Sequence, residues 1–439
     1  MSSSSQKAPI IYPRDQHTVS RRDIDQDCLK IMLRLNHQGY KAYLVGGGVR
    51  DLLLGKKPKD FDVSTDATPK EIRRLFGNAR IIGRRFRLVH ILFPGGKIIQ
   101  VSTFRDSTPV AAETPEENAP EAEAKTLQED NTFGTAETDA YRRDLTINGL
   151  FYSLHNSSVI DYVGGVEDLN NKVVRIIGDP VTRFIEDPVR LIRAVRHSVR
   201  AGFSIESKTL RAIEENTSLL TKVPKVRLYE EIKKDLTSGH CLDIFLRLRE
   251  TGILSELFPS LGARPGALDR EILRLALHTF DTFIQGGREL SHIIPLALIA
   301  VFAGFKEPDI DFVFEKDFDV DAHIVHALGA IQVSKREKES IEYFITWWSK
   351  LSKSEPEIKL STVARSPHLA EFNVFATILS IAGVEGPVLE RVGEAMAIAK
   401  KNPPQQHSRR PHNDSRRRRP RNHSRDEKSS SSKGEQDPT

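Results

Sequence analysis

A chain of 439 residues with 38% hydrophobic and 28% charged side chains is too long for one small core and divides into two to four domains, most of them folded. Its formal net charge is +5, but residues 401–439 hold 11 Lys and Arg against 5 Asp and Glu, so the preceding 400 residues sum to −1 and the basic character belongs to the tail. Cys28 and Cys241, far apart and without Cys/His ligand spacing, exclude a disulfide scaffold or zinc module. The longest apolar run, Ile293 to Gly304, has 12 residues including Pro295, short of the ~20 that span a bilayer.

Residues 1–22 begin MSSSSQKAPIIYPRD, lack the apolar core of a secretory signal, and read as the flexible lead of a soluble, cytoplasmic protein. From Asp23 to Gly39 the spacing of Ile24, Leu29, Met32, Leu33 and Leu35 predicts a helix. Strand-like runs follow at Ala42–Val45, Asp60–Val63, Arg80–Ile82, Val89–Phe93 and Ile98–Phe104, with helical patterns between them, so 23–178 reads as a mixed α/β head. Within it, 106–140 carries ten acidic residues and one lysine among Ala, Pro and Thr, the composition of a mobile loop. A tolerated surface insertion and a cover for the active site fit that segment equally. Helical periods dominate after Asp179: a neck over 179–224 and a body over 225–400, where Leu228, Ile232 and Leu236 recur at i+4. Residues 401–439 contain RRPHNDSRRRRPRNHSR, nearly free of apolar side chains and predicted to be disordered. The planar, permanently charged guanidinium suits phosphate, which points the tail to a nucleic-acid backbone, with an acidic protein surface as the bland alternative.

Three runs carry chemistry. In YLVGGGVRDLLLGKKPKDFDV, Tyr43–Val63, a strand leads into Gly46, Gly47 and Gly48, which let backbone N–H groups approach a triphosphate, and then into a helix over Val49–Leu54. A second strand at Lys59–Val63 sets Asp60 and Asp62 on one face with Phe61 and Val63 behind, and two converging carboxylates can hold Mg²⁺. Paired aspartates on a strand are often merely solvated; here they follow the glycine turn in the order a nucleotidyl-transfer site requires. In YRRDLTINGL, Tyr141–Leu150, Asp144 stands beside Arg142 and Arg143, either as a buried ion pair stapling the head or as a carboxylate near the metals with an arginine toward phosphate. In EDPVRLIRAVRHSVR, Glu186–Arg200, a helix sets Arg190, Arg193, Arg196, His197 and Arg200 on one arc and Leu191, Ile192, Val195 and Val199 on another. The arc is purely basic and so meets phosphate or a base. Asp187 accepts and Arg190 donates, the groups needed to read a nucleobase edge without a template. A fourth run, IIGRRFRLVHI at Ile81–Ile91, puts Arg84, Arg85, Arg87 and His90 on a turn and the next strand. By itself it is a basic hairpin, with His90 as a core histidine.

Together these runs give the chain a resemblance, from about Leu29 to Phe258, to the polymerase-β-type nucleotidyltransferases of the second class, the group of bacterial CCA-adding enzymes and poly(A) polymerases. VGGGVRD with DFD, STFR at Ser102–Arg105, RRDLTIN, YVGG at Tyr162–Gly165 and EDPVRLIRAVR occur in family order. GRRFRLVH and the Arg-rich tail are similar to the poly(A) polymerase branch. The resemblance implies an α+β protein: a nucleotidyltransferase head with a mixed sheet, then all-helical neck, body and tail domains. It implies that Asp60 and Asp62 hold catalytic magnesium and that Asp144 is the third active-site carboxylate. Gly46, Gly47, Arg50 and Arg143 then face the ATP triphosphate and sugar, and Asp187, Arg190, Arg193 and Arg196 select the nucleotide. The implied activity is template-independent addition of AMP to RNA 3′ ends, with pyrophosphate released, in mRNA processing and polyadenylation. Implied partners are ATP, RNA 3′ ends and RNA-decay proteins, with no membrane. CCA addition to tRNA is the alternative enzyme activity, and a non-catalytic RNA-binding protein the alternative class. Gln100 stands where relatives often carry an acid, which weighs against metal binding at that strand position, and Leu145 and Gly149 also depart from the pattern.

Overall fold

The computed structural model describes residues 8–83, 87–106, 133–263, 266–303, 318–353 and 358–401. Its head is one eight-stranded sheet in the order β1-β8-β7-β2-β3-β6-β5-β4. The strands are β1 (Ile10–Tyr12), β2 (Ala42–Val45), β3 (Asp62–Thr65), β4 (Ala79–Ile82), β5 (Leu88–Leu92), β6 (Ile98–Thr103), β7 (Leu150–Ser153) and β8 (Ser158–Asp161). Every neighbouring pair is antiparallel except β3 with β6. Helices α1 (Gln26–His37), α2 (Gly47–Leu53) and α3 (Pro69–Leu75) lie between the early strands. Asp25 caps α1 by accepting from the N–H groups of Asp27 and Cys28, and Thr68 with Glu71 forms a capping box on α3. Ile31, Met32 and Leu35 of α1 and Ile72 of α3 bury with Val63, Val89 and Val101 on one sheet face. The other face is covered over Val45, Phe151 and Ile160 by Ala136 and Ala140 of α4 (Ala136–Arg142).

Three expectations change, the first being that β7 and β8, outside the expected strand runs, pair with each other and join the sheet beside β2. The lead expected over 1–22 contains β1, which pairs antiparallel with β8 and extends the sheet by tertiary pairing that a three-residue IIY run before Pro13 does not announce. The loop expected over 106–140 ends in the first residues of α4, started by a Thr135–Thr138 capping box; residues 107–132 lie outside the described residues. Arg84 and Arg85 and the tail from 402 also lie outside them.

The segment after β8 opens the neck. Asp161 accepts hydrogen bonds from the N–H groups of Val163, Gly164, Gly165 and Val166, holding the YVGG run against the Thr146–Asn148 turn and starting α5 (Gly165–Asn170). From here the chain is helical as expected, apart from two-residue strands, Val173–Val174 and Ser204–Ile205, paired in parallel. The neck holds α6 (Pro180–Glu186), α7 (Val189–Ala201) and α8 (Ser207–Glu215), and α9 (Lys225–Leu236) opens the helical body, which the described residues follow to Lys401. The apolar run Ile293–Ala303 is a helix buried in the body core, and among the described residues no helix is long and apolar enough to cross a membrane.

A Cβ on Gly165 would lie 2.2 Å from the Thr146 carbonyl oxygen, a backbone atom that cannot give way. Gly165→Ala therefore separates α5 from the RRDLTIN segment and is expected to cost about 2–3 kcal/mol, measured as a lowered urea midpoint at unchanged m-value.

Candidate active site

The sheet, α7 and α9 enclose a cleft of about 420 Å³. Gly46, Gly47, Arg50 and Asp62 line its head side with Arg143, Asp144 and Asn148; the neck and body contribute Asp187, Arg190, Arg193, His197, Arg227 and Glu231.

The helix after the glycine turn starts earlier than the sequence suggests, since α2 begins at Gly47. Gly46 has φ +71°, and a Cβ there would approach the Arg143 guanidinium to 3.2 Å, so glycine allows both the turn and the arginine. Arg143 donates to Asp139 at 2.9 Å and to Ser64 Oγ at 3.2 Å, and lies over the Phe151 ring. Arg50 donates to Asp51 at 2.7 Å and to Asn148 Oδ1 at 2.8 Å.

Strand β3 begins at Asp62, so Asp60 stands exposed just before it rather than on the strand with it. The two carboxylates still sense each other. Burial raises the pKa of Asp62 and Asp60's like charge adds to this, while the Arg143 guanidinium pulls it down. Among the described residues no side chain donates a hydrogen bond to Asp62, and Arg143 is already engaged by Asp139. A half-buried carboxylate beside a second one is a donor set suited to a small hard cation. Magnesium takes one or two carboxylates and completes its shell with water and phosphate oxygens. Among the described residues no group of three or more His, Cys, Asp or Glu is placed to hold a metal ion. Gln100 lies directly beside Asp62 in the parallel register of β3 and β6 and brings no third carboxylate.

Asp144 is buried and accepts from Arg193 of α7 at 2.6 Å and from the Leu145 N–H at 2.8 Å. The stapling ion pair is therefore made with the neck rather than with the adjacent Arg142 or Arg143. Burial alone would raise this carboxyl, but the Arg193 guanidinium holds it well below the usual carboxylate range. Asp187 accepts from Arg227 of α9 at 2.9 Å through both oxygens. Arg190 donates to the Arg183 carbonyl at 2.8 Å and to Glu186 at 2.9 Å.

Arg196 does not join this cleft wall. It is buried against α9, donating to Asp235, to Glu231 Oε2 at 2.8 Å and to the Glu231 carbonyl at 2.8 Å. The expected basic arc is thus split, with Arg190 and Arg193 toward the cleft and Arg196 into the neck–body contact. Arg227, Glu231 and Asn148 are cleft residues that the motifs did not single out. Arg227 and Glu231 lie in the charged run KVRLYEEIKKDL, which has no pattern marking them; Asn148 was visible as a polar residue among Ile147 and Leu150.

His197 of the same arc reaches the cleft. Burial pushes its pKa down to about 3, with Asp144 opposing and Arg50 assisting. Arg50 Nη1 lies 3.4 Å from His197 Nδ1; a guanidinium has only donors, so Nδ1 accepts and the ring's proton is on Nε2. Because the unfolded ring titrates near 6.5 and the folded ring near 3, the unfolded chain alone gains a proton as pH falls from 6.5. Stability present above pH 6.5 is therefore lost downward, by about 2 kcal/mol at pH 5. His197→Asn should remove that part of the slope in urea titrations at pH 7.5, 6 and 5; parallel curves for the variant and the parent would contradict a neutral ring.

Comparison with known proteins identifies the family and the fold. Residues 42–175 match the family described as poly A polymerase head domain, and residues 202–264 match the one described as probable RNA and SrmB-binding site of polymerase A. The chain is 49% identical over 251 residues to poly(A) polymerase I of Salmonella typhi, covering 57% of this chain and 54% of that protein, so it spans about half that relative's length. It is 37% identical over 323 residues to poly(A) polymerase I of Haemophilus influenzae, covering 72% and 70%. Its fold superposes on the Bacillus stearothermophilus CCA-adding enzyme in complex with CTP with a TM-score of 0.62 at 23% identity, over 85% of this chain and 82% of that one.

Proposed function

Since this chain belongs to the poly(A) polymerase family of nucleotidyltransferases, we propose that it adds AMP units from ATP to RNA 3′ ends without a template, releasing pyrophosphate. The observation that carries this reading is the single cleft in which Asp62 and the glycine turn of the head face Asp187, Arg190 and Arg193 of the neck.

In the reaction the RNA 3′-oxygen forms a bond to the α-phosphorus of ATP, the bond from that phosphorus to the bridging oxygen breaks, and pyrophosphate leaves. Asp60 and Asp62 would hold magnesium, which when bound lowers the pKa of the 3′-hydroxyl and offsets charge on the leaving pyrophosphate. Gly46 and Gly47 present backbone with no Cβ toward the triphosphate, and Arg50 and Arg143 place positive charge beside it. Asp144 orients Arg193 across the cleft. Asp187 accepts from the exocyclic amine of the base and Arg190 donates to its neighbouring ring nitrogen. Adenine and cytosine both offer an amine beside an acceptor, so discrimination rests on the shape that Arg227 and Glu231 give the pocket. Arg196 supports this indirectly, by fixing α7 against α9. The reading extends to a cytoplasmic activity used by RNA-decay proteins.

Purified protein with Mg²⁺, 5′-labelled RNA and either ATP or CTP tests this reading. Long ladders from ATP and none from CTP are expected, and Asp62→Asn should lower the rate by at least about 10³-fold at an unchanged melting temperature. Addition of two cytidines and one adenosine only to tRNA lacking its CCA end would instead establish CCA addition.

The tail supplies a separate expectation. Truncation after Lys401 removes ten Lys and Arg and is expected to flatten the salt dependence of RNA binding while leaving kcat unchanged. An equal salt slope in a fluorescence anisotropy titration would exclude the tail as an RNA contact.

A further inference from the structure

We propose that the face of β6, β5 and β4 turned away from α1 and α3 is a track that carries the last few nucleotides of the RNA to Asp62, an inference that rests on the RNA-tailing reading above. It arises from the register of the sheet. Asp62 pairs with Gln100, Gln100 with His90, and His90 with Arg80. Residues directly opposite one another across paired strands point to the same face, so these four side chains form one row. At about 4.8 Å per strand the row runs about 14 Å from Asp62 to the sheet edge, room for roughly four stacked nucleotides at about 3.4 Å each.

The next row settles which face this is. Val63, Val101, Val89 and Ile81 are in register one residue further along, and they belong to the core beneath α1 and α3. The Asp62 row therefore points the other way, into the face on which Asp62 lines the cleft. Followed inward, the same row continues as Val45, Phe151 and Ile160, which are covered by α4. The row is apolar where α4 covers it and becomes polar at Asp62, where the cleft begins.

The polar row is flanked on each side by an apolar pair. Ile98 with Leu92 lies two residues away on one side, and Leu88 with Ile82 on the other. Ile98, the first residue of β6, and Ile82, the last residue of the edge strand β4, are 51% and 45% exposed, while Arg80 is exposed and Gln100 and His90 are half-buried. A cation at the outer end, an imidazole and an amide in the middle, and apolar rails beside them are the groups that take a single strand. Arg80 meets phosphate, His90 stacks on a base, Gln100 bonds a base edge or a 2′-hydroxyl, and the rails carry ribose and base faces. Beyond Asp62 the row holds no carboxylate to repel a phosphate. This gives IIGRRFRLVHI a task that the ATP site does not: Arg80 and His90 flank and belong to that run, and both stand on the path rather than in the pocket.

The test uses the full chain, its Arg80→Ala and His90→Ala variants, and His90→Phe, which restores a stacking ring. Binding of a 5′-fluorescein 15-mer of adenylate is read by anisotropy, and extension kinetics are read with RNA and ATP varied in turn. Each alanine variant is expected to raise the Kd and KM for RNA about tenfold, with KM for ATP and kcat at saturating RNA within about twofold. His90→Phe should return most of the loss. Arg80→Ala should also reduce the salt slope of binding by about one. Unchanged RNA affinity in both variants would overturn the proposal, as would a rise in KM for ATP in its place. Tighter RNA binding by Arg80→Ala would overturn it too. A parent chain that binds RNA through this row yet never extends it would refute the tailing reading and leave the track standing.

Discussion

The cleft depends on one ion pair, whose carboxylate is buried and whose guanidinium side chain is 34% exposed. Asp144 follows α4 in the head, Arg193 lies in the middle of α7 in the neck, and their 2.6 Å contact spans 49 residues of sequence. Placing a carboxylate and a guanidinium out of water costs several kcal/mol per ion, and only close geometry with further hydrogen bonds offsets it. The Leu145 N–H supplies one such bond. A second grip lies beside it: Arg183 of α6 donates to the Arg142 and Arg143 carbonyls at 2.7 and 2.8 Å, groups left without intrahelical partners where α4 ends. The Arg-Arg-Asp run is thus held by two neck arginines, one on its backbone and one on its carboxylate. The wall carrying the glycine turn and the wall carrying Asp187 are fixed at one separation by this contact, and His197 is kept neutral in the space between.

The same helix shows why a motif and a site are not the same set of residues. Arg190, Arg193 and Arg196 recur every three residues, and at about 100° per residue each step falls about 60° short of a full turn. Arg190 and Arg196 therefore differ by about 120° in direction. Arg193, between them, meets the head; Arg190 faces the cleft; Arg196 has rotated into α9, where Glu231 and Asp235 enclose it. Burial lifts Asp235 to about 6 even against this guanidinium, which marks how deeply the contact lies. A pure basic arc can thus face two ways, the cleft on one side and a buried carboxylate pair on the other.

Part of the head was legible because β2, β4 and β5 are short runs closed by glycine or proline, and because Gly46–Gly48 and Asp60 to Asp62 sit close together in sequence; β7 and β8 carry no such punctuation and were missed. What was missed depends on distant partners. Strand β1 exists only through β8, and Arg227 matters only because α9 brings it to Asp187 across 40 residues. The acidic composition of 106–140 concealed the start of α4, where threonine capping and alanines outweigh the charge. Asp60 was read as a strand residue from alternation alone, and alternation does not say where hydrogen bonding starts.

The polar groups proposed to read the base are already partnered, and their remaining capacity is what that proposal draws on. Asp187 has two oxygens with about four acceptor positions, of which Arg227 uses one on each; a guanidinium has five N–H donors, and Arg190 directs one nitrogen at Arg183 and Glu186. An amine and a ring nitrogen could therefore be met by the unused positions without breaking either pair. Selection of this kind needs no rearrangement, only that Arg227 and Glu186 hold their partners at one angle. The cost of ordering those side chains is met in folding, before any nucleotide enters, so discrimination between bases of different size falls to the rigidity of α7 against α9, the contact that Arg196 secures.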